Sequence, residues 1–202
     1  LRSLSTHRKH GAVDEVVLKT WTPWVAFGGL VGAGIAGFTS MEGLAIVYGA
    51  CLILIAAQMG LLPEHVTLRK DLPTGRGRRG TATLIGTLSA MMGVGGGSFG
   101  GMTMTLCGRP IHQAVATASG FGLAIGAAAA LGFAVFGWGA DGRPPLSLGY
   151  VNVPAALIMG VLTALTAPYG ARLAHRLDRK VLRRAFAVYL LITALLVVFK
   201  AL

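Results

Sequence analysis

A glycine-rich segment inside an apolar run is the part of this sequence best suited to chemistry. The segment reads Gly93-Val94-Gly95-Gly96-Gly97-Ser98-Phe99-Gly100-Gly101, and no residue from Gly80 to Gly108 is charged. Glycines interrupt a helix and leave backbone groups unpaired. In hydrocarbon each unpaired N–H or C=O costs several kcal/mol, so such a break persists only where it is buried in protein or lines a wet cavity. We therefore expect a ligand site at this break.

Backbone amides at such a break favour an anionic ligand. Glycines leave the N–H groups uncovered by side chains, and a helix that starts near Ser98 presents the positive end of its dipole. A sulfonate, sulfite or carboxylate can be held there without a buried cationic side chain. The hydroxyls of Ser98 and Thr103 are further candidate donors. Thr117 and Ser119 in the next helix are expected to face the same cavity or its wall. The residues expected to bind the substrate are Gly93, Gly95, Gly96, Gly97, Ser98, Thr117 and Ser119.

The residues missing from this region exclude other chemistry. No acidic residue lies between Leu72 and Ala140, which leaves a proton relay through a buried carboxylate unsupported. His112 is the one titratable group near the glycines, and its place beside Arg109-Pro110 indicates a solvated loop end. The apolar segments contain no nucleophile–base pair, no paired carboxylates and no cluster of metal ligands. We expect no catalytic residue, no metal, no cofactor and no enzyme activity.

Composition indicates that these residues belong to a membrane protein. Hydrophobic residues make up 54% of the chain, charged residues 12%, and the mean hydropathy is +0.69. Most of the apolar blocks approach the ~20 residues that span a bilayer as a helix. The blocks are Pro23–Met41, Leu44–Leu62, Thr81–Cys107, Gln113–Trp138, Leu148–Pro168 and Val181–Phe199. The sequence predicts an all-α polytopic membrane protein with five to six transmembrane segments.

The distribution of positive charge favours a re-entrant hairpin at the glycines. Lys and Arg prefer cytoplasmic loops, and they cluster before Pro23, between Arg69 and Arg79, and between Arg172 and Arg184. If every block crossed the membrane once, the last cluster would lie outside the cytoplasm. This cluster lies in the cytoplasm if Thr81–Cys107 enters the membrane from the cytoplasm, breaks at the glycines and returns to the same side. A single tilted span remains the alternative. Because the net charge of +11 is confined to the loops, it does not indicate nucleic-acid binding.

A weak internal repeat suggests how the chain is organised. Four positions match at one offset: Pro23, Gly29, Ala33 and Ala36 with Pro154, Gly160, Ala164 and Ala167. On the hairpin topology the two copies run in opposite directions, a recurring design of secondary transporters. The predicted division is residues 1–62 as the remainder of the first repeat, 63–80 as a basic cytoplasmic loop, and 81–202 as the second repeat. The second repeat holds a hairpin at 81–107 and helices at about 113–138, 148–168 and 181–199. We expect a first-repeat hairpin and helix to precede Leu1.

Other glycines and the tryptophans have ordinary structural interpretations. The pairs Gly28/Gly32 and Gly122/Gly126 have the small-xxx-small spacing of close helix packing. Trp21, Trp24 and Trp138 lie at block ends, where aromatic side chains anchor helices at the membrane interface.

Three motifs together resemble the TauE/SafE sulfite-exporter family. They are Gly93-Val-Gly-Gly-Gly97-Ser98, Gly108-Arg-Pro110 and Ala114-Val-Ala-Thr117-Ala-Ser119. The stretch His10-Gly-Ala-Val-Asp14 before the Pro23 helix is also similar to that family. The resemblance implies a multi-pass permease of the bacterial inner membrane that exports or imports sulfite and small organosulfur anions. The first-repeat glycine motif of the family does not occur in this chain.

These observations predict a permease that moves a small anion, sulfite or an organosulfonate, across the cytoplasmic membrane. The alternative is a membrane scaffold or accessory subunit whose glycines serve only helix packing. The expected partners are the anionic substrate, the lipid bilayer and the missing N-terminal part of the protein, with no nucleic acid. Assembly into a homo-oligomer is left open.

Overall fold

The computed structural model describes residues 13–61, 67, 69–140, 142, 144–176 and 179–201. In these residues the all-α prediction is confirmed, with one short strand pair as the exception. The helices are α1 (Glu15–Phe38), α2 (Met41–Leu61), α3 (Gly75–Met92), α4 (Gly97–Leu106), α5 (Ile111–Phe136), α6 (Val153–Arg176) and α7 (Arg179–Ala201). Strands β1 (Ser147–Leu148) and β2 (Val151–Asn152) form an antiparallel hairpin between α5 and α6.

Three helices of the described chain are long and apolar enough to cross a membrane. They are Glu15–Phe38, Met41–Gln58 and His112–Phe136, and a shorter apolar helix covers Val153–Thr166. Many of their large apolar side chains are exposed to the surroundings of the protein, as expected of helices in contact with lipid. The chain is thus a helical membrane protein. The number of crossings stays a prediction.

Contacts divide the chain into two compact units. The first comprises Leu1–Phe38 and His65–Phe136, and so contains α1, α3, α4 and α5. The second comprises Thr39–Glu64 and Gly137–Leu202, and so contains α2, the strand pair, α6 and α7. The predicted division into repeats concerns sequence similarity, which contacts do not measure. That division and the inverted repeat therefore stay predictions.

In the first unit α3 and α5 both pack on α1 and run parallel to it. Contacts with α3 advance together along both helices: Trp24 with Arg79, Gly28 with Thr83, and Gly32 with Thr87. Contacts with α5 do the same: Asp14 with Thr117, Trp21 with Phe121, Gly29 with Ile125, and Ala33 with Gly132. The N-termini of the three helices consequently lie at the same end of the unit.

Glycines allow the close approach of α1 and α3. A Cβ at Gly28 or at Gly32 would collide with backbone oxygens of α3, and a Cβ at Gly86 would collide with the carbonyl oxygen of Val25. At the same crossing the hydroxyl of Thr87 donates a 3.1 Å hydrogen bond to the Gly28 carbonyl oxygen. The packing role predicted for Gly28 and Gly32 is confirmed.

The structure bears out only part of the other roles predicted for the glycine pairs and the tryptophans. Gly122 lies against the Gly95–Gly96 backbone, whereas no atom lies within 4 Å of a Cβ built at Gly126. Trp21 is only 2% exposed and stacks on Phe121 with ring centroids 6.2 Å apart. The prediction that Trp21 anchors at the membrane interface is therefore wrong, because its ring fills the core between α1 and α5.

In the second unit α2 and α7 pack antiparallel. A Cβ at Gly49 would contact Val198 and Ala194, and one at Gly60 would contact Ala187. The strand pair precedes α6, which starts at Val153 rather than at residue 148 as predicted. Asn152 caps α6, since its Oδ1 accepts a 2.9 Å hydrogen bond from the Ala155 amide.

Candidate functional site

The predicted helix break lies at the glycines. Helix α3 ends at Met92, and Gly93 adopts the left-handed conformation with φ of 63°, which side chains rarely tolerate. The amide of Gly93 donates to the Ala90 carbonyl at 3.2 Å, and the amide of Val94 donates to the Ser89 carbonyl at 3.1 Å. These bonds satisfy the last turn of α3. The chain then passes through Gly95 and Gly96 and starts α4 at Gly97.

After the break α4 runs back antiparallel to α5. The contacts advance along α4 as they recede along α5: Gly96 with Ile125, Gly100 with Phe121 and Ala118, and Gly101 with Ala118. The outer ends of the segment also meet, because the amide of Arg69 donates a 3.2 Å hydrogen bond to the Leu106 carbonyl. Since α3 runs parallel to α5, α3 and α4 form a hairpin whose tip is the glycine segment.

The tip of the hairpin lies halfway along the neighbouring long helices. A Cβ at Gly96 would lie 2.5 Å from Ile125 Cδ1 and 3.2 Å from the Gly122 amide nitrogen, near the centre of Ile111–Phe136. Ile125 in turn contacts Gly29 near the centre of α1. Because α1 and α5 have the length of a bilayer-spanning helix, the glycines are at the depth of the midplane if these helices cross the membrane.

The tip offers unpaired amide donors. At the start of α4 the amide of Ser98 donates to the Gly95 carbonyl at 3.4 Å, and that of Gly100 donates to the Gly96 carbonyl at 2.9 Å. No backbone acceptor for the amides of Gly95, Gly96, Gly97 and Phe99 is found among the described residues. Gly95, Gly97 and Ser98 are exposed, whereas Gly96 is buried against α5. The four amides lie where the dipole of α4 favours negative charge.

The hydroxyl groups predicted to join the amides have different partners. In the described structure the Ser98 hydroxyl is exposed and makes no hydrogen bond. The hydroxyl of Thr103 donates to the Phe99 carbonyl at 2.8 Å, and that of Ser119 donates to the Ala116 carbonyl at 2.7 Å. Thr117 is fully buried, and its Oγ1 accepts a 2.9 Å hydrogen bond from the Asp14 amide. Thus only Ser98 joins the glycines at the tip, and the bond to Asp14 ties Thr117 to the start of α1.

The end of the unit opposite the tip is strongly basic. It carries Arg69, Lys70, Arg76, Arg78, Arg79 and Arg109, at the starts of α3 and α5. The guanidinium of Arg79 lies 5.0 Å from the ring centroid of Trp24. Arg109 forms an ion pair with Asp14, with 3.7 Å between Nη2 and Oδ2. An anion that approached the hairpin from this end would meet an excess of positive charge.

Ser89 is a residue that the sequence analysis missed. It is 1% exposed, and its hydroxyl oxygen has no hydrogen-bond partner among the described residues. It lies in the last turn of α3, where its own carbonyl accepts the Val94 amide at the start of the break. The available signal was a lone hydroxyl one helical turn before Gly93, on the face that carries Ala82 and Ile85.

Within the described residues no group of three or more His, Cys, Asp or Glu could hold a metal ion. His112 is exposed at the start of α5, as predicted. The groups that the described residues place at the tip and at the basic end are backbone amides, the Ser98 hydroxyl and distant positive charge.

The chain is similar to one protein family and to a bacterial relative. The family model described as "Sulfite exporter TauE/SafE" matches residues 1–197. A protein of Haemophilus influenzae described as "Probable membrane transporter protein" is 27% identical over 195 residues, which cover 96% of this chain and 73% of that protein. No solved structure matches.

Proposed function

Because the chain belongs to the TauE/SafE sulfite exporter family, we propose that it moves a small anion, sulfite or an organosulfonate, across the cytoplasmic membrane. Membership of the family makes it a membrane transporter, and the Haemophilus relative is likewise described as a transporter. The identity of the anion and the multi-pass placement in the inner membrane are parts of the proposal.

The observation that carries the proposal is the position of the hairpin tip. The unpaired amides of Gly95, Gly96, Gly97 and Phe99 lie beside the middle of α5, where free backbone groups are costly unless they meet water or a ligand. A transporter needs its site at this depth, so that access can alternate between the two sides. Ser98 adds a hydroxyl at the same tip.

The chemistry of the tip favours a deprotonated oxyanion. The N–H of a backbone amide only donates hydrogen bonds, so unpaired N–H groups match a ligand whose exposed atoms are all acceptors. The region from Leu72 to Ala140 has no carboxylate that would repel such a ligand. Sulfite, sulfonates and carboxylates share this pattern of acceptors, and amides distinguish them mainly by size and charge.

The basic end of the first unit supports an orientation in the membrane. Positive residues favour the cytoplasmic side, and those of the α3 and α5 starts lie at the end where the hairpin begins and finishes. We therefore propose that α3 and α4 enter from the cytoplasm and return to it. The anion then reaches the tip from the cytoplasm along the hairpin.

The scaffold alternative has one observation in its favour. Gly28, Gly32 and Gly86 do serve helix packing, and Gly96 also packs on α5. Gly95 and Gly97 have no atom within 4 Å of an added Cβ, so packing gives no reason for glycine at these two positions. This difference favours the transporter.

A flux assay with the full-length protein in liposomes tests the proposal. Sulfite, thiosulfate, sulfoacetate and acetate are compared, with and without a pH gradient, against liposomes that lack the protein. We expect saturable flux of at least one sulfur oxyanion. Equal leakage of all four anions with and without the protein would contradict transport and favour the scaffold.

A further inference from the structure

Two polar side-chain atoms of the described residues are buried without any hydrogen-bond partner, and both belong to α3. They are Nε of Arg78 and Oγ of Ser89. Arg78 lies in the first turn of the helix at the basic end, and Ser89 lies in its last turn, four residues before Gly93. Buried polar groups are nearly always paired, so each exception needs an explanation.

The two groups lie on one face of α3. Positions four, seven and eleven residues apart recur on the same side of an α-helix, and Arg78, Ala82, Ile85 and Ser89 have these spacings. Ala82 and Ile85 are buried in one cluster with Trp21 and Val25 of α1, Met104 of α4, and Phe121 and Ile125 of α5. The Arg78–Ser89 face therefore points into the core of the first unit, which α1, α4 and α5 share. It spans ~16 Å at the helical rise per residue.

Among the hydroxyls of the described helices, Ser89 carries the one that is buried without a hydrogen-bond partner. A serine or threonine within a membrane helix usually bonds a carbonyl of its own preceding turn. Those that do so here are Thr20, Thr22, Thr103, Thr105, Ser119, Thr166 and Thr193. Thr87 bonds α1 instead. Ser89 does neither, although it is almost completely buried and adjoins the break.

We propose that Ser89 is a hydroxyl ligand of the anion beside the amides of the hairpin tip, and that Arg78, on the same face of α3, attracts the anion at the basic end. This inference rests on the proposed transport function and adds the side chains that the oxyanion meets. Arg78 attracts the anion at the basic end through its positive charge, and Ser89 donates a hydrogen bond to an anionic oxygen near the tip. Both groups are donors, which suits the same deprotonated oxyanion as the amides.

The test measures transport kinetics and thermal stability of full-length variants in liposomes and detergent. The anion used is the one that the unaltered protein carries fastest among sulfite, thiosulfate, sulfoacetate and acetate. Ser89→Ala should raise KM by about tenfold or more, since hydrogen bonds to charged groups are strong. Its unfolding temperature should stay equal or rise, because the change removes a buried hydroxyl that had no partner. Thr22→Val is the matched control, since that hydroxyl bonds the Leu18 carbonyl at 2.5 Å.

Arg78→Gln tests the role of Arg78 at the basic end. It should raise KM severalfold, with an effect that shrinks as salt screens the charge, while Arg78→Lys should retain most of the affinity. Arg76→Gln, at an exposed position of the same turn, is the control and should change KM less than Arg78→Gln.

The outcomes separate the two proposals. If the unaltered protein carries none of the anions, the proposed function fails and this inference fails with it. If it carries an anion while Ser89→Ala keeps the KM of the control, only this inference fails. A lower unfolding temperature with unchanged KM would give Ser89 a purely structural role, which also overturns the inference.

Discussion

The amide of Arg69 donates a 3.2 Å hydrogen bond to the carbonyl oxygen of Leu106. One of these residues precedes α3 and the other ends α4, so the bond joins the two outer ends of the glycine hairpin. A segment that crossed a membrane once would hold these ends a full bilayer apart. The bond therefore favours re-entry of the segment. Re-entry places both ends of the hairpin on the same side of the membrane, and labelling can test this.

Cysteine labelling should find both ends of the hairpin on the same side of the membrane. In a background with Cys51 and Cys107 replaced by serine, Arg76→Cys and His112→Cys each place a thiol at an exposed position. A membrane-impermeant maleimide should label both from the cytoplasmic side. Trp138→Cys, beyond the far end of α5, should be labelled from the opposite side.

Opposite accessibility of positions 76 and 112 would instead mean that α3 and α4 together cross the membrane once. Equal labelling of all three positions from both sides would indicate leaky vesicles, and a cysteine-free variant measures that background.

The sequence predicted the hairpin from charge and composition but not its neighbours. Glycine spacing located the break at Gly93, and the basic loops indicated that the segment returns, because both signals are local. That Thr117 would bond Asp14 could not be foreseen, since this contact depends on how α5 packs against the start of α1. The prediction that Trp21 anchors at the membrane interface was wrong for the same reason. A tryptophan at a block end resembles an interface anchor until Phe121 is seen to stack on it.

Paired substitutions at Gly97 and Gly96 should separate the chemistry of the tip from its packing. A Cβ at Gly97 meets open space, so Gly97→Val should fold normally and yet reduce flux strongly, because the branched side chain covers the neighbouring amides. At Gly96 the same side chain would press on Ile125 and the α5 backbone. Gly96→Val should therefore also destabilise the protein, by about 1–3 kcal/mol as for other overpacked sites.

Flux assays and unfolding curves of the two variants provide the measurement, with Gly97→Ala as an intermediate step. Normal sulfur-oxyanion flux through Gly97→Val would rule out the tip amides as the binding surface.

The crossing of α1 and α3 should be far less tolerant than the exposed face of α5. A Cβ at Gly86 collides with the Val25 carbonyl oxygen, which is backbone and cannot rotate away. We expect Gly86→Ala to lower the free energy of unfolding by about 1–3 kcal/mol. Gly126→Ala is the matched control, because nothing lies within 4 Å of its Cβ. There the better helix propensity of alanine should leave stability equal or raise it by up to about 1 kcal/mol.

Denaturation of both variants in the same mixed micelles gives the comparison. Similar stabilities for Gly86→Ala and Gly126→Ala would contradict the close helix crossing.

Thr117 should act mainly as an anchor for the start of α1. Its buried Oγ1 accepts the Asp14 amide, while the Asp14 carboxylate caps α1 through a 3.0 Å bond from the Val17 amide and pairs with Arg109. Thr117→Val keeps the shape of the side chain but leaves the Asp14 amide without an acceptor. The loss costs about 1–3 kcal/mol for a fully buried donor and less for this partly buried one. Thr117→Ser retains the oxygen and should lose much less stability.

Unfolding curves measure both effects, and amide exchange at Asp14 should accelerate in Thr117→Val alone. A raised KM with unaltered stability and exchange would instead assign the Thr117 hydroxyl to the anion.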